Sequence, residues 1–183
     1  MTAPLHLTTA MAAEHDAYVA LMAGRPAGPL LIRARDAYLT SNQQSGQQSW
    51  GRLIGAVKMA ILAGDGVEEV ARRAVADAAQ ADSPASAYAR ALSQVALGGR
   101  PDVSLMLEAG EPFQRTGRAL AALADGDGEA YRSALAEIVA DFEGRQRHLS
   151  GIAIADTALV LERLAELRGV AAHPASALLP PPG

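Results

Sequence analysis

Between residues 50 and 63 the apolar side chains Trp50, Leu53, Ile54, Val57 and Ile61 fall at offsets 0, 3, 4, 7 and 11. That spacing is the 3.6-residue period of a helix with one face to bury. Ser49 stands where an N-cap belongs, and Gly64 stands where the helix should stop. The next segment, about 66 to 80, repeats the spacing with Val67, Val70, Ala71, Ala74, Val75 and Ala78. Its first turn holds Glu68 and Glu69, where the helix dipole favours negative charge. The two segments read as a helical hairpin turned at "AGDG".

The same pattern continues down the chain. "DSPAS" predicts a helix capped by Ser83 with Pro84 at its first position, and with Tyr88, Leu92, Val95 and Ala96 facing inward. The turn "LGGRPD" leads to a short helix carrying Val103, Met106 and Leu107 and closed by Gly110. A helix from about Pro112 places Phe113, Leu120 and Leu123 inside. After "DGDG", Tyr131, Leu135, Ile138, Val139 and Phe142 at offsets 0, 4, 7, 8 and 11 form the cleanest apolar stripe in the chain. The last helix, about 153 to 168, is apolar on more than one face (Ile154, Leu159, Val160, Leu161, Leu164, Leu167), which predicts that it is the most buried. Two weaker helices stand in front, "TTAMAAEHDAYVALMAG" and "GPLLIRARDAYLTSN", and no segment reads as a strand.

The expected organisation is one all-α domain of about eight helices over residues 1–183. It divides into two front helices (1–41), a polar Gln/Ser linker (42–48), a body of helical hairpins (49–169) and a C-terminal tail (170–183). Three stretches, 53–75, 88–110 and 116–138, each read as helix, Gly/Asp turn, helix, with turns about 35 and then about 26 residues apart. This suggests stacked hairpins in a degenerate tetratricopeptide-like array, with an irregular bundle as the alternative.

Composition sharpens that picture. Half of the 183 residues are apolar but only 4% are aromatic, and much of the remainder is Ala, so helices must approach closely through small side chains. A net charge of −4 gives no electrostatic reason to expect nucleic acid. No apolar run approaches the roughly 18 residues of a membrane span, and the absence of Cys fits a reducing compartment, so a cytoplasmic protein is expected. The acid is uneven: 125 to 143 holds Asp125, Asp127, Glu129, Glu137, Asp141 and Glu143 against Arg132 alone. This segment is either a solvated helix face or a docking surface for a basic partner. Asp125, Asp127, Glu129, Glu137 and Asp141 are the candidate partner-binding residues.

Candidate chemistry is sparse. The four His residues are dispersed, with no helical pair for a metal, and His148 is expected at a helix C-terminus as a dipole-compensating cation. "EHD" at 14–16 points its side chains about 100° apart along a helix, so it does not form a cluster. "DGDGE" lacks the Glu a calcium loop needs at its twelfth position. Glu137 and Asp141 share a helix face opposite the apolar stripe, and that placement suits water better than a metal. No nucleophile elbow, Walker loop or dinucleotide fingerprint appears. No catalytic residue, cofactor or metal is therefore expected, although a small-molecule-binding protein or a cofactor-free enzyme with a pocket between helices stays open as the alternative.

The order of features resembles that of the all-α immunity proteins of bacterial polymorphic toxin systems, the family numbered forty-nine. The likeness spans about residues 49 to 180. It runs through the Trp-led helix with its acidic turn, "SWGRLIGAVKMAILAGD"; the Tyr-bearing "YARALSQVALGGRP"; "DGDGEAYRSALAEIVADFE"; and the apolar close "DTALVLERLAELRG" to "ALLP". The chain departs from the family pattern near 112, where an aromatic-rich segment is reduced to Pro112 and Phe113, and after 143, where the expected aromatics are missing. The resemblance implies a non-catalytic protein that binds and neutralises a cognate toxin. A protein partner is then expected, with a homodimer left open.

Overall fold

The computed structural model describes residues 3–45 and 49–181 of the chain. Nine helices lie among the described residues, with no strand. The front pair is α1 (Ala3–Met22) and α2 (Gly28–Gln44), joined by a short turn in which Gly24 is left-handed. Their hydrophobic periodicity is weak because much of what they bury is Ala. Ala10, Ala13, Ala17 and Ala20 line one face of α1, and Leu31, Ala34, Tyr38 and Ser41 line one face of α2. Both sets keep the three- and four-residue spacing that lets two backbones come close. The polar run from residue 42 is no plain linker, since residues 42–44 complete α2; residues 46–48 lie outside the described residues.

α3 (Trp50–Ala63) is the central helix. Leu53 and the run from Gly55 to Ile61 are buried, so it is enclosed on nearly every side, with α2, α4, α5 and α9 as neighbours. Ser49 precedes it but makes no side-chain cap, and Gly64 ends it in the left-handed conformation. α4 (Val67–Asp77) turns back along α3, its corner held by the Arg35 guanidinium, which donates to the carboxylate and carbonyl of Asp65. α5 (Pro84–Ala96) opens with a capping box in which the Ser83 hydroxyl accepts from the Ser86 amide at 3.2 Å and the Ser86 hydroxyl accepts from the Ser83 amide at 3.0 Å. The box is worth about 1 kcal/mol.

α6 (Ser104–Leu107), α7 (Glu111–Asp125) and α8 (Gly128–Glu143) follow, α8 capped by Asp127, whose carboxylate accepts from the Ala130 amide at 3.0 Å. Every predicted inward residue of α8 is buried: Tyr131, Leu135, Ile138, Val139 and Phe142. α9 (Asp156–Arg168) packs on α3, α7 and α8. It is not the most enclosed helix. Leu167 is 75% exposed, because three buried walls around α9 leave its last turn at the surface, whereas α3 has neighbours on all sides.

The hairpins stack in chain order, α3 with α4, α5 with α6 and α7 with α8, and α9 then closes the row back onto α3. The arrangement is a closed helical bundle built from hairpins, with one contiguous core from Ala10 to Ala165. Arg168 fastens two helix ends at once, donating to the carbonyls of Val95 (2.7 Å) and Leu123 (3.2 Å) at the C-termini of α5 and α7, where the dipoles favour a cation. No helix among the described residues is long and apolar enough to cross a membrane.

The tail beyond α9 is stitched down by a buried carboxylate. Glu162, 7% exposed, accepts from the Tyr131 hydroxyl at 2.7 Å and from the backbone amides of Ala172 (3.1 Å) and His173 (2.6 Å). Further on, the Leu178 carbonyl accepts from the Ala155 amide at 2.8 Å, just ahead of α9.

Candidate functional site

Leu7, Met11, Glu14 and Tyr18 lie three or four residues apart on α1, and Gly51, Ile54, Gly55 and Lys58, at offsets 0, 3, 4 and 7, share one face of α3. These two stripes face each other across a cleft of about 540 Å³. Its third wall runs from the last turn of α8 (Phe142) through the α8–α9 connection (Arg145, His148, Ile154) to the first residue of α9 (Asp156). The loop is held against α1 by His15, whose Nδ1 donates to the Ser150 carbonyl at 2.9 Å. The volume lies in the range of small-molecule sites.

A cluster of ionisable groups forms the floor. Lys58, the only lysine of the chain, is 9% exposed and donates to Asp156 Oδ2 at 2.6 Å and to Thr157 Oγ1 at 3.2 Å. Burial is the largest single influence and pushes its pKa down, but Asp156, Tyr88 and Glu14 together outweigh it, and the net is a pKa above the ordinary lysine value. On the opposite wall Glu14 accepts from the Tyr38 hydroxyl at 2.8 Å and the Tyr18 hydroxyl at 3.3 Å. Burial raises the Glu14 pKa; the Tyr38 hydrogen bond and the nearby Lys58 charge only partly oppose it. The phenols of Tyr18 and Tyr38 are both shifted up, first by burial and then by the acids beside them. Tyr88 lies behind the set: its ring is 5.9 Å from the Lys58 ammonium.

The Tyr38 ring reaches Glu14 because Gly55 lets it pass. A Cβ at Gly55 would lie 2.9 Å from Tyr38 Cε2, closer than packed carbons come.

At the rim, Phe142 packs against two side chains. The Arg145 guanidinium lies 3.8 Å from its ring centroid, and His148 stacks on it with centroids 6.2 Å apart. Arg145 also pairs with Asp141, donating through Nε at 3.0 Å. His148 is thus no dipole-compensating cation at a helix end, because α8 stops at Glu143 and the ring turns into the cleft wall. Its Nδ1 is buried without a partner. Arg52, also lining the cleft, donates to the Ser41 carbonyl at 2.9 Å and has no carboxylate partner among the described residues.

The acidic residues expected to bind a partner sit elsewhere, on α8 and the turn before it. Asp125 pairs with Arg100 at 2.6 Å, Glu137 with Arg118, and Asp141 with Arg115 at 2.7 Å as well as Arg145. Asp127 is occupied as the helix cap, and Glu129 is exposed in the first turn of α8. The charge imbalance visible along the sequence is therefore offset in space by arginines from other segments. Only Asp141 connects with the cleft, through Arg145.

Sequence reasoning passed over Lys58, Glu14, Asp156 and the two phenols. One signal was available: a single Lys at the offset of 8 from Trp50, on the buried side of the most apolar hairpin. Such a group has to find a carboxylate or leave the core. A groove of about 800 Å³ between α3, α4, α5 and α9 is larger, but surface ions such as Glu68 and Arg72 border it and no buried polar cluster lies beneath. Among the described residues no group of three or more His, Asp or Glu side chains converges as a metal set. Compared with known family models, characterised proteins and solved structures, the chain matches none.

Proposed function

We propose that this protein works by binding another protein, and that the partner is a toxin domain which it neutralises. The observation that carries the reading is the outer face of α8. Over four turns it presents exposed small side chains, Ala130, Ser133, Ala136 and Ala140, between the exposed carboxylates Glu129, Glu137 and Glu143. A partner can approach such a face closely, and the ion pairs there are weak enough for a basic partner to exchange them. The resemblance to toxin-neutralising helical proteins supplies the class of partner.

The test is growth rescue. Neighbouring reading frames should be expressed singly; one that arrests growth should be neutralised by co-expression of this protein, and Ala136→Arg should abolish the rescue without lowering the melting temperature. Absence of rescue removes the function; rescue indifferent to Ala136→Arg and Glu137→Lys removes the surface. Asp141 is a poor choice for this experiment, because reversing it would strand Arg115 and Arg145.

A second reading is favoured by one specific observation: the polar side chains of Glu14, Arg52, Lys58, His148 and Asp156 converge in an apolar cleft of about 540 Å³. On that reading the protein binds a small molecule between α1, α3 and the α8–α9 loop.

A further inference from the structure

The cleft has a charge inventory that specifies its occupant. Among its lining residues, Lys58 is matched by Asp156 and Arg145 by Asp141. Glu14 already accepts from the Tyr18 and Tyr38 hydroxyls, so its oxygens are engaged within the floor. What remains is the guanidinium of Arg52, whose described partner is a neutral carbonyl, together with the imidazole of His148 in the cleft wall. The surroundings are apolar: Leu7, Met11 and Ile54. A half-buried guanidinium in such a place is stabilised by a charge-assisted partner, and its planar fork suits a carboxylate. Arg52 is the one lysine or arginine of the lining without a carboxylate partner among the described residues, and one guanidinium matches one carboxylate.

We propose that the cleft binds a small organic acid, its carboxylate held by Arg52 and His148 and its apolar stem lying against Leu7, Met11 and Ile54. The inference rests on the second reading above, that the cleft is a small-molecule site, and it is independent of the α8 surface.

The experiment uses the full chain and two probes, 4-phenylbutyrate and its neutral amide, titrated calorimetrically at pH 7. The acid should bind at least tenfold more tightly than the amide. Arg52→Gln should bring the acid down to the affinity of the amide while leaving the amide unchanged. His148→Gln, on a loop outside the core, should weaken the acid severalfold. Equal binding of acid and amide, or acid binding untouched by both substitutions, would overturn the charge assignment and leave the cleft a pocket. If neither probe binds up to millimolar concentration, the pocket reading falls with it.

Discussion

Replacing Lys58 by Met removes one charge and keeps the length and most of the volume of the side chain, so the change isolates the ion pair with Asp156. The side chains of the pair are 11% and 23% exposed and meet at 2.6 Å. At an effective dielectric constant near 20, two charges about 4 Å apart between their centres attract by roughly 4 kcal/mol. Desolvation offsets much of that in the intact pair. The offset does not operate in the variant, where Asp156 is left in the cleft wall without its cation. Removing one member of a buried pair costs about 3–5 kcal/mol, and the partial exposure of Asp156 puts Lys58→Met near 3 kcal/mol. With a urea m-value of about 2 kcal/mol/M, the midpoint should fall by roughly 1.5 M. The double variant Lys58→Met, Asp156→Asn should recover about 1–2 kcal/mol of the loss, because the stranded charge goes with its partner. The folded-state pKa of Lys58 is raised, so the stabilisation is complete below its ordinary value of 10.5 and is lost only at higher pH. The deficit should therefore be the same at pH 6 and pH 9. A midpoint shift below about 0.3 M, or losses in the two single variants that simply add, would refute the reasoning.

Two further outcomes follow from the same cleft. Glu14 has a raised folded pKa, so its contribution is most favourable below its ordinary value of 4.5 and is lost as pH rises through the folded value; Glu14→Gln, which keeps an acceptor for Tyr38, should stabilise the protein at pH 8 and do little at pH 4, as thermal melts at the two pH values would show. Gly55→Ala should cost about 1–3 kcal/mol because the new methyl meets the Tyr38 ring, whereas Gly51→Ala, with nothing within 4 Å, should gain about 0.5 kcal/mol of helix propensity; chemical denaturation of the two variants should give shifts of opposite sign.

The helices of the body were readable because each carries its own period: the five inward residues of α8 and the Ser83–Pro84 start of α5 follow from local rules alone. The fully enclosed position of α3 was not readable in the same way. Its Ala, Gly and Met positions bury as completely as its Leu and Val once neighbours surround it, and a stripe of five apolar residues conceals that. The candidate site was the least legible part. Glu14, Lys58 and Asp156 come from three segments more than forty residues apart, and nothing local in any of them announces the others. Arg100, Arg115, Arg118 and Arg145 escaped notice for the same reason, so an acidic segment in the sequence became a set of paired charges in the fold.

Glu162 and the Leu178 carbonyl together act as a splint along α9. One fastens the middle of the helix to the strap that follows it, and the other fastens the residue just ahead of Asp156. The position of Asp156, and with it the orientation of the lysine ammonium across the cleft, is thereby set partly by backbone atoms some twenty residues downstream. Changes in that strap should be felt in the cavity floor without touching it.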